Sequence, residues 1–376
     1  MKRVGVLTFH FADNYGAVMQ AYGLITCLRS LKLDAHIINY HPDYVEGGGS
    51  FRFPCSKNDI RANFVISYQK IIKIRNRLIA DGGLREKFNE FRKNHLYISD
   101  PNYKTIESLR VSPPLLDVYI AGSDQIWNPS EQYGVDPAYF LDFGSPFVRR
   151  ISYAASFGRD VLAKDSQKKI GELLRRFDAI SIRECSGVDI IKNISNLSAK
   201  WLPDPTFLVD DYQQIIKKPK EVERYMMSYV LRSGKGVSEI QTYLAKRMKL
   251  KIIVPYNPMK RWKGVGETIY PGPEEWLGYM RYADFVVTNS FHGTVFSVLF
   301  NKPFITIGLT GKKGGLNERA KSLLERLGLE ERLLTEFTSD KADLLMKQDI
   351  DWEAVNKRVA EWKTEALAFI KKEVAD

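Results

Sequence analysis

Asp284-Phe285-Val286-Val287-Thr288-Asn289-Ser290-Phe291-His292-Gly293 is the stretch on which the reading of this chain turns. An apolar run of strand type ends in a small polar cluster, and from Thr294 to Phe300 the pattern becomes helical. In an open α/β sheet that junction is the carboxyl end of a strand, where ligands sit. The free amides that begin the next helix can receive an anion. His292 would stand beside that anion as a group whose intrinsic pKa lies near neutrality. A lone histidine can equally cap a helix or fill the core, so the rest of the chain has to decide.

The alternation seen at that junction recurs along the sequence. Strand-like runs at 4–9, 35–39, 117–121, 151–154, 179–182 and 201–202 are separated by helical patterns, which argues for a parallel sheet with crossover helices. The segment Leu202-Pro203-Asp204-Pro205-Thr206 stops regular structure, and Lys217-Lys218-Pro219-Lys220 makes an exposed basic link. Beyond it the scheme repeats, with strands at 225–231, 251–254, 285–288 and 304–307. Helices are expected at 237–247, 274–281 and 317–327, and a long terminal one at 352–374. The expected organisation is an N-terminal Rossmann-like domain over 1–215 and a C-terminal one over 216–376, facing each other across a central cleft. One region, about 54–94, interrupts the pattern. It is basic, and Ile60, Phe64, Tyr68, Ile71, Arg75 and Leu78 lie at helical spacing, as in a helix packed on its own domain or lying on a membrane surface.

Composition narrows the classes. A chain of 376 residues with 44% hydrophobic and 12% aromatic residues can fill two cores. No apolar run approaches the ~20 residues that span a bilayer. The start, Met1-Lys2-Arg3-Val4-Gly5-Val6-Leu7-Thr8, reads as a buried strand and not as a signal peptide. Cys27, Cys55 and Cys185 are odd in number and widely spaced, which fits a reducing cytoplasm and offers no metal site. A net charge of +11 implies an anionic partner. With no zinc finger, RNP-like run or strongly basic helix with interleaved aromatics, nucleic acid is not the expected one.

Three more strand ends carry polar groups. Gly122-Ser123-Asp124-Gln125 follows an apolar run and precedes Trp127; Asp124 there can act as a base toward a sugar hydroxyl, or Ser123 and Asp124 can cap the next turn. Arg183 lies just beyond a buried strand, where a guanidinium grips a carboxylate or phosphate, or pairs with a neighbour such as Glu184. The stretch from Phe9 through Asn14-Tyr15-Gly16-Ala17 opens a helix and can present amides to an anion, though it lacks the spacing of a dinucleotide or P-loop motif. Asp349-Ile350-Asp351 could hold a metal but is more simply a helix cap. No G-x-S-x-G, C-x-x-C or H-E-x-x-H is present, so hydrolase-elbow and zinc readings lack support.

Taken in order, the chain resembles the polysaccharide pyruvyl transferases. The resemblance rests on Asn14-Tyr15-Gly16-Ala17-Val18-Met19-Gln20, Gly122-Ser123-Asp124-Gln125-Ile126-Trp127-Asn128, 151–158, Ser181-Ile182-Arg183-Glu184, Leu202-Pro203-Asp204-Pro205-Thr206 and Ser290-Phe291-His292-Gly293. It implies two Rossmann-like domains similar to the GT-B glycosyltransferases. It also implies transfer of a pyruvyl group from phosphoenolpyruvate, the donor substrate, to two hydroxyls of a saccharide, with no cofactor and no metal. Asp124, Arg183 and His292 match the family's functional positions. Asn14, Gly16, Ser123, Gln125, Ser290, Gly293 and Arg319 are expected to line the substrates. Many members carry Arg-Leu-His where this chain has Ser290-Phe291-His292, so a cation often present in the site is missing, and Arg319, Lys312, Lys313 and Arg232 are the candidates to replace it. A lipid-linked acceptor would add a peripheral contact with the inner face of the cell membrane. A GT-B glycosyltransferase using a nucleotide sugar, and a non-catalytic glycan- or anion-binding protein of the same fold, are the competing readings.

Overall fold

The computed structural model describes residues 1–47, 82–132, 134–219, 223–232, 236–257 and 264–375, with scattered positions between 60 and 71. Most of the basic helical pattern expected over 54–94 lies outside the described residues; its end is the helix Leu84–His95.

Strands β1 (Arg3–Leu7), β2 (Asp34–Ile37), β3 (Val118–Ala121) and β4 (Arg149–Ser152) form a parallel sheet in the order β2-β1-β3-β4. Parallel bridges from Ile151 to Ala179 and from Ala155 to Ile182 carry the β5 (Ser181–Ile182) and β6 (Lys200–Trp201) ladder on from β4. The second sheet runs β12-β11-β10-β7-β8-β9, from β7 (Tyr225–Tyr229), β8 (Lys251–Pro255), β9 (Glu267–Ile269), β10 (Phe285–Thr288), β11 (Phe304–Ile307) and β12 (Leu333–Leu334). It too is parallel throughout. Central strands such as Val118–Ala121, Phe285–Thr288 and Phe304–Ile307 are buried at every position, as a sheet covered on both faces requires. Strand order reverses between β1 and β3 and between β7 and β10, and the crevices at such switch points receive ligands.

The helices that leave β1 and β10 bring the two crevices together. Helix Tyr15–Ser30 buries 13 of its 16 residues, so it serves as a central beam and not as a surface helix. Its Tyr15 stacks on Trp276 with ring centroids 5.0 Å apart and donates from its hydroxyl to the Pro271 carbonyl at 2.7 Å. One hydrophobic core therefore runs from Val4 and Val18 to Tyr229, Trp276 and Phe296.

The terminal helix Trp352–Ile370, followed by a π turn at Lys371–Ala375, returns to the first sheet. Trp362 packs edge-on to Trp201 at 5.5 Å and its indole N–H reaches the Trp201 carbonyl at 3.3 Å, while Arg149 pairs with Glu373. Trp362→Phe keeps an aromatic there but loses the donor and some volume. It should destabilise the protein by about 1–2 kcal/mol, measured by urea unfolding. Asp351 caps this helix through Ala354 N–H at 3.0 Å, the simpler of its two sequence readings.

Candidate functional site

Beyond β5 the chain turns Arg183 into the space between the sheets, where its side chain is 1% exposed. Its Nη1 donates to Asp204 Oδ2 at 2.7 Å and to Ser123 Oγ at 3.3 Å, and Nη2 lies 3.7 Å from Asp124 Oδ1. The guanidinium sits 4.4 Å from the Phe291 ring centroid, a cation–π contact in a dry setting. Nε and Nη2 are sealed from solvent with no hydrogen-bond partner.

Asp204 is the centre of this network. Pro203 and Pro205 flank it, and its Oδ1 caps the short 3-10 turn Pro205–Leu208 by accepting from the Thr206 amide at 3.1 Å and hydroxyl at 2.8 Å. Oδ2 accepts from Ser123 Oγ at 3.0 Å as well as from Arg183, with His292 Nε2 at 3.5 Å. Burial opposes ionisation, but His292, Arg183 and the Thr206 amide outweigh it and hold the carboxyl well below the usual carboxylate range. From sequence this aspartate read only as a break in regular structure.

His292 lies in the first turn of helix Phe291–Leu299, which Ser290 caps by accepting from Gly293 N–H at 3.4 Å. The Thr294 amide goes to the Ser290 carbonyl at 3.0 Å, so the amides after His292, expected to take an anion, are already engaged. The imidazole packs on the backbone of Gly16. A Cβ at residue 16 would fall on the ring, 2.6 Å from Cγ. Gly293 is held as closely by Thr288, whose Cβ would be 2.9 Å from an added Cβ. Asn14, just upstream, caps helix Tyr15–Ser30 through the Ala17 amide at 3.1 Å.

Asp124 has a left-handed backbone (φ 75°), and its Oδ1 accepts the Gln125 amide at 2.8 Å. Its carboxylate is thereby fixed toward Arg183 and keeps 14% of its surface exposed. Gln125 Oε1 accepts from Asn128 at 2.9 Å and abuts Gly158. Glu184 is fully buried, with Oε1 accepting from Ser156 Oγ at 2.7 Å and Gly158 N–H at 2.6 Å, and Oε2 unpartnered. Burial pushes its carboxyl up against the pull of Arg183.

Arg319, at the start of helix Glu318–Leu327, also reaches this space. Its guanidinium is 5.8 Å from the Phe291 ring centroid and its Nε is covered without a partner. Burial, and then the neighbouring Arg183, lower its pKa to about 10. Of the other cations considered, Arg232 is half-buried and 4.0 Å from Glu131, and the side chains of Lys312 and Lys313 lie outside the described residues. The site thus gathers unpartnered buried donors on Arg183, Arg319 and His292 around one phenyl ring, where buried polar groups are ordinarily satisfied.

The sequence profile of the polysaccharide pyruvyl transferases matches residues 14–310, a span that holds Asp124, Arg183, Asp204 and His292. The chain belongs to the polysaccharide pyruvyl transferase family. A search among curated proteins returned no match. Solved structures similar to this pyruvyl transferase family member include the glycotransferase of kitacinnamycin, at 10% identity over 99% of both chains with a TM-score of 0.50. The S. aureus MnaA–UDP structure is similar at 10% identity over 99% of this chain and 96% of its own, again with a TM-score of 0.50. At such identities the likeness concerns the fold, which is that of the GT-B glycosyltransferases and related epimerases, as expected from the sequence. Arg319 approaches Phe291, the residue after Ser290, from another element.

Proposed function

We propose that this pyruvyl transferase family member moves the pyruvyl group of phosphoenolpyruvate onto two hydroxyls of a saccharide, forming a cyclic ketal and releasing phosphate. The observation that carries this reading is the set of sealed, unpartnered donors on Arg183, Arg319 and His292. Arg183 spends only Nη1 on Asp204, and its free Nε and Nη2, with Arg319 Nε nearby, suit a donor that has a carboxylate next to a phosphate. Since the Gly293 and Thr294 amides are engaged, the side chains are assigned the main part of that task.

In the reaction a proton adds to the methylene carbon of the donor, which becomes the methyl group, and the adjacent carbon becomes electrophilic. A saccharide hydroxyl attacks that carbon and gives up its proton. The second hydroxyl then forms its own bond to the same carbon as the carbon–oxygen bond to phosphate breaks, and its proton leaves with the phosphate or the base. His292 is assigned the acid role, Asp124 the base, and Arg183 with Arg319 the two anionic groups of the donor. Asp204 holds Arg183 and His292 in register. The acceptor class proposed is a polysaccharide precursor carried on a lipid.

Incubation with phosphoenolpyruvate and a panel of galactose- and mannose-type acceptors tests the assignment. The expected result is acceptor-dependent phosphate release matched by the mass gain of a ketal; its absence across the panel would overturn the reading. Arg319→Met should raise the KM for phosphoenolpyruvate at least about tenfold while lowering kcat less, the pattern of a lost ground-state contact.

A further inference from the structure

We infer that the edge of the first sheet formed by the amino-terminal ends of its strands docks on an anionic lipid bilayer. Apart from the terminal Met1, the most exposed large apolar side chains among the described residues are Phe147 (96%), Val111 (86%) and Leu115 (80%). They belong to one place. The segments leading into β3 and β4 are neighbours because Val118 pairs with Arg149 in register. Tyr119 draws the two turns together: its hydroxyl donates to the Pro114 carbonyl at 2.6 Å, and Gly144 lies against its ring. Arg110 ties the residue before Val111 to the Asp142 carbonyl at 3.1 Å.

Cations border this apolar tip. Arg3, Arg110, Arg149 and Arg176 are 53%, 46%, 44% and 38% exposed. Their partners are Asp117, Asp142 and Glu373, and Asp142 is shared by Arg110 and Arg176, so cations outnumber carboxylates. Lys2 and Arg175 stand at the same edge, where the exposed Asp34 and Asp178 offset them, so the edge keeps a small positive excess. Apolar side chains that can enter the headgroup layer, framed by arginines that can meet lipid phosphates, match an anionic interface in both chemistry and charge. A second copy of the chain fits worse, since pairing this face with itself sets like charges against each other. Arg183, Asp204 and His292 lie at the opposite ends of the strands, so a docked molecule keeps its cleft open to solvent. No helix among the described residues is long and apolar enough to cross a membrane, so the contact proposed is peripheral.

The test is co-sedimentation of the full chain with phosphatidylglycerol-containing vesicles and with pure phosphatidylcholine vesicles, at low and high salt. Binding to the former is expected, weakened by salt, and at least about tenfold weaker in the double variant Leu115→Asp/Phe147→Asp. Both residues are exposed and remote from the site, so circular dichroism and turnover of a soluble acceptor should be unchanged in that variant. Turnover is read separately, so the vesicle result and the assigned reaction stand or fall independently. No binding to phosphatidylglycerol vesicles, or equal binding by the double variant, overturns the inference. So does sedimentation velocity showing a wild-type dimer that the double variant abolishes, because the face would then belong to a second copy.

Discussion

Asp204→Ala is expected to leave a protein without measurable turnover and less stable by about 3–5 kcal/mol, the range for removing one member of a buried ion pair. Arg183 is 1% exposed, and Asp204 is the carboxylate in hydrogen-bond contact with it, at 2.7 Å. The substitution strands that cation and also releases Ser123 Oγ and the cap of the Pro205–Leu208 turn. Urea unfolding measures the first effect and phosphate release the second. The pH dependence has a definite sign. The Asp204 carboxyl is held below its unfolded value of ~3.9, so its contribution is complete above that pH and is lost as pH falls through the folded value. Wild type and Asp204→Asn should therefore differ in stability at neutral pH and converge in strong acid.

His292→Ala should lower kcat by about 10²–10⁴-fold, the span ordinarily carried by a general acid or base. The loss in stability should be modest, because Nε2 stands 3.5 Å from its carboxylate partner and makes no hydrogen bond. Gly16→Ala reaches the same group from the other half of the molecule. A methyl group there would overlap the imidazole, so the ring must move, and displacement by about 1 Å can reduce turnover by ~10². A Gly16→Ala protein with unchanged kcat/KM would mean that the position of the imidazole does not matter to the reaction.

Much of the fold was legible because parallel strands buried on both faces read as short apolar runs. The strands at 285–288 and 304–307 have the expected bounds, and helix 317–327 differs by one residue at its start. What sequence could not supply was distance. Ser290, Gly16 and Asn14 were expected to contact substrate, and the structure shows Ser290 and Asn14 capping helices and Gly16 seating the imidazole. Asp204 went unread as a functional group because an aspartate between two prolines is indistinguishable from a turn until the halves are folded together. Arg319 was one of several cations that might replace the arginine missing at Ser290. Its approach to Phe291, which depends on the packing of a helix 28 residues further along, separates it from Arg232. The return of the terminal helix to Trp201 was likewise invisible, since an amphipathic pattern does not name the surface it covers.

The central claim is that the space around Arg183, Arg319 and His292 holds a small donor with two anionic groups. Calorimetric titration of the protein with phosphoenolpyruvate in the absence of acceptor tests this most directly, with a nucleotide sugar titrated in parallel. Saturable binding of one phosphoenolpyruvate per chain, competed by inorganic phosphate, is the expected result. Binding of the nucleotide sugar with no heat from phosphoenolpyruvate would contradict it.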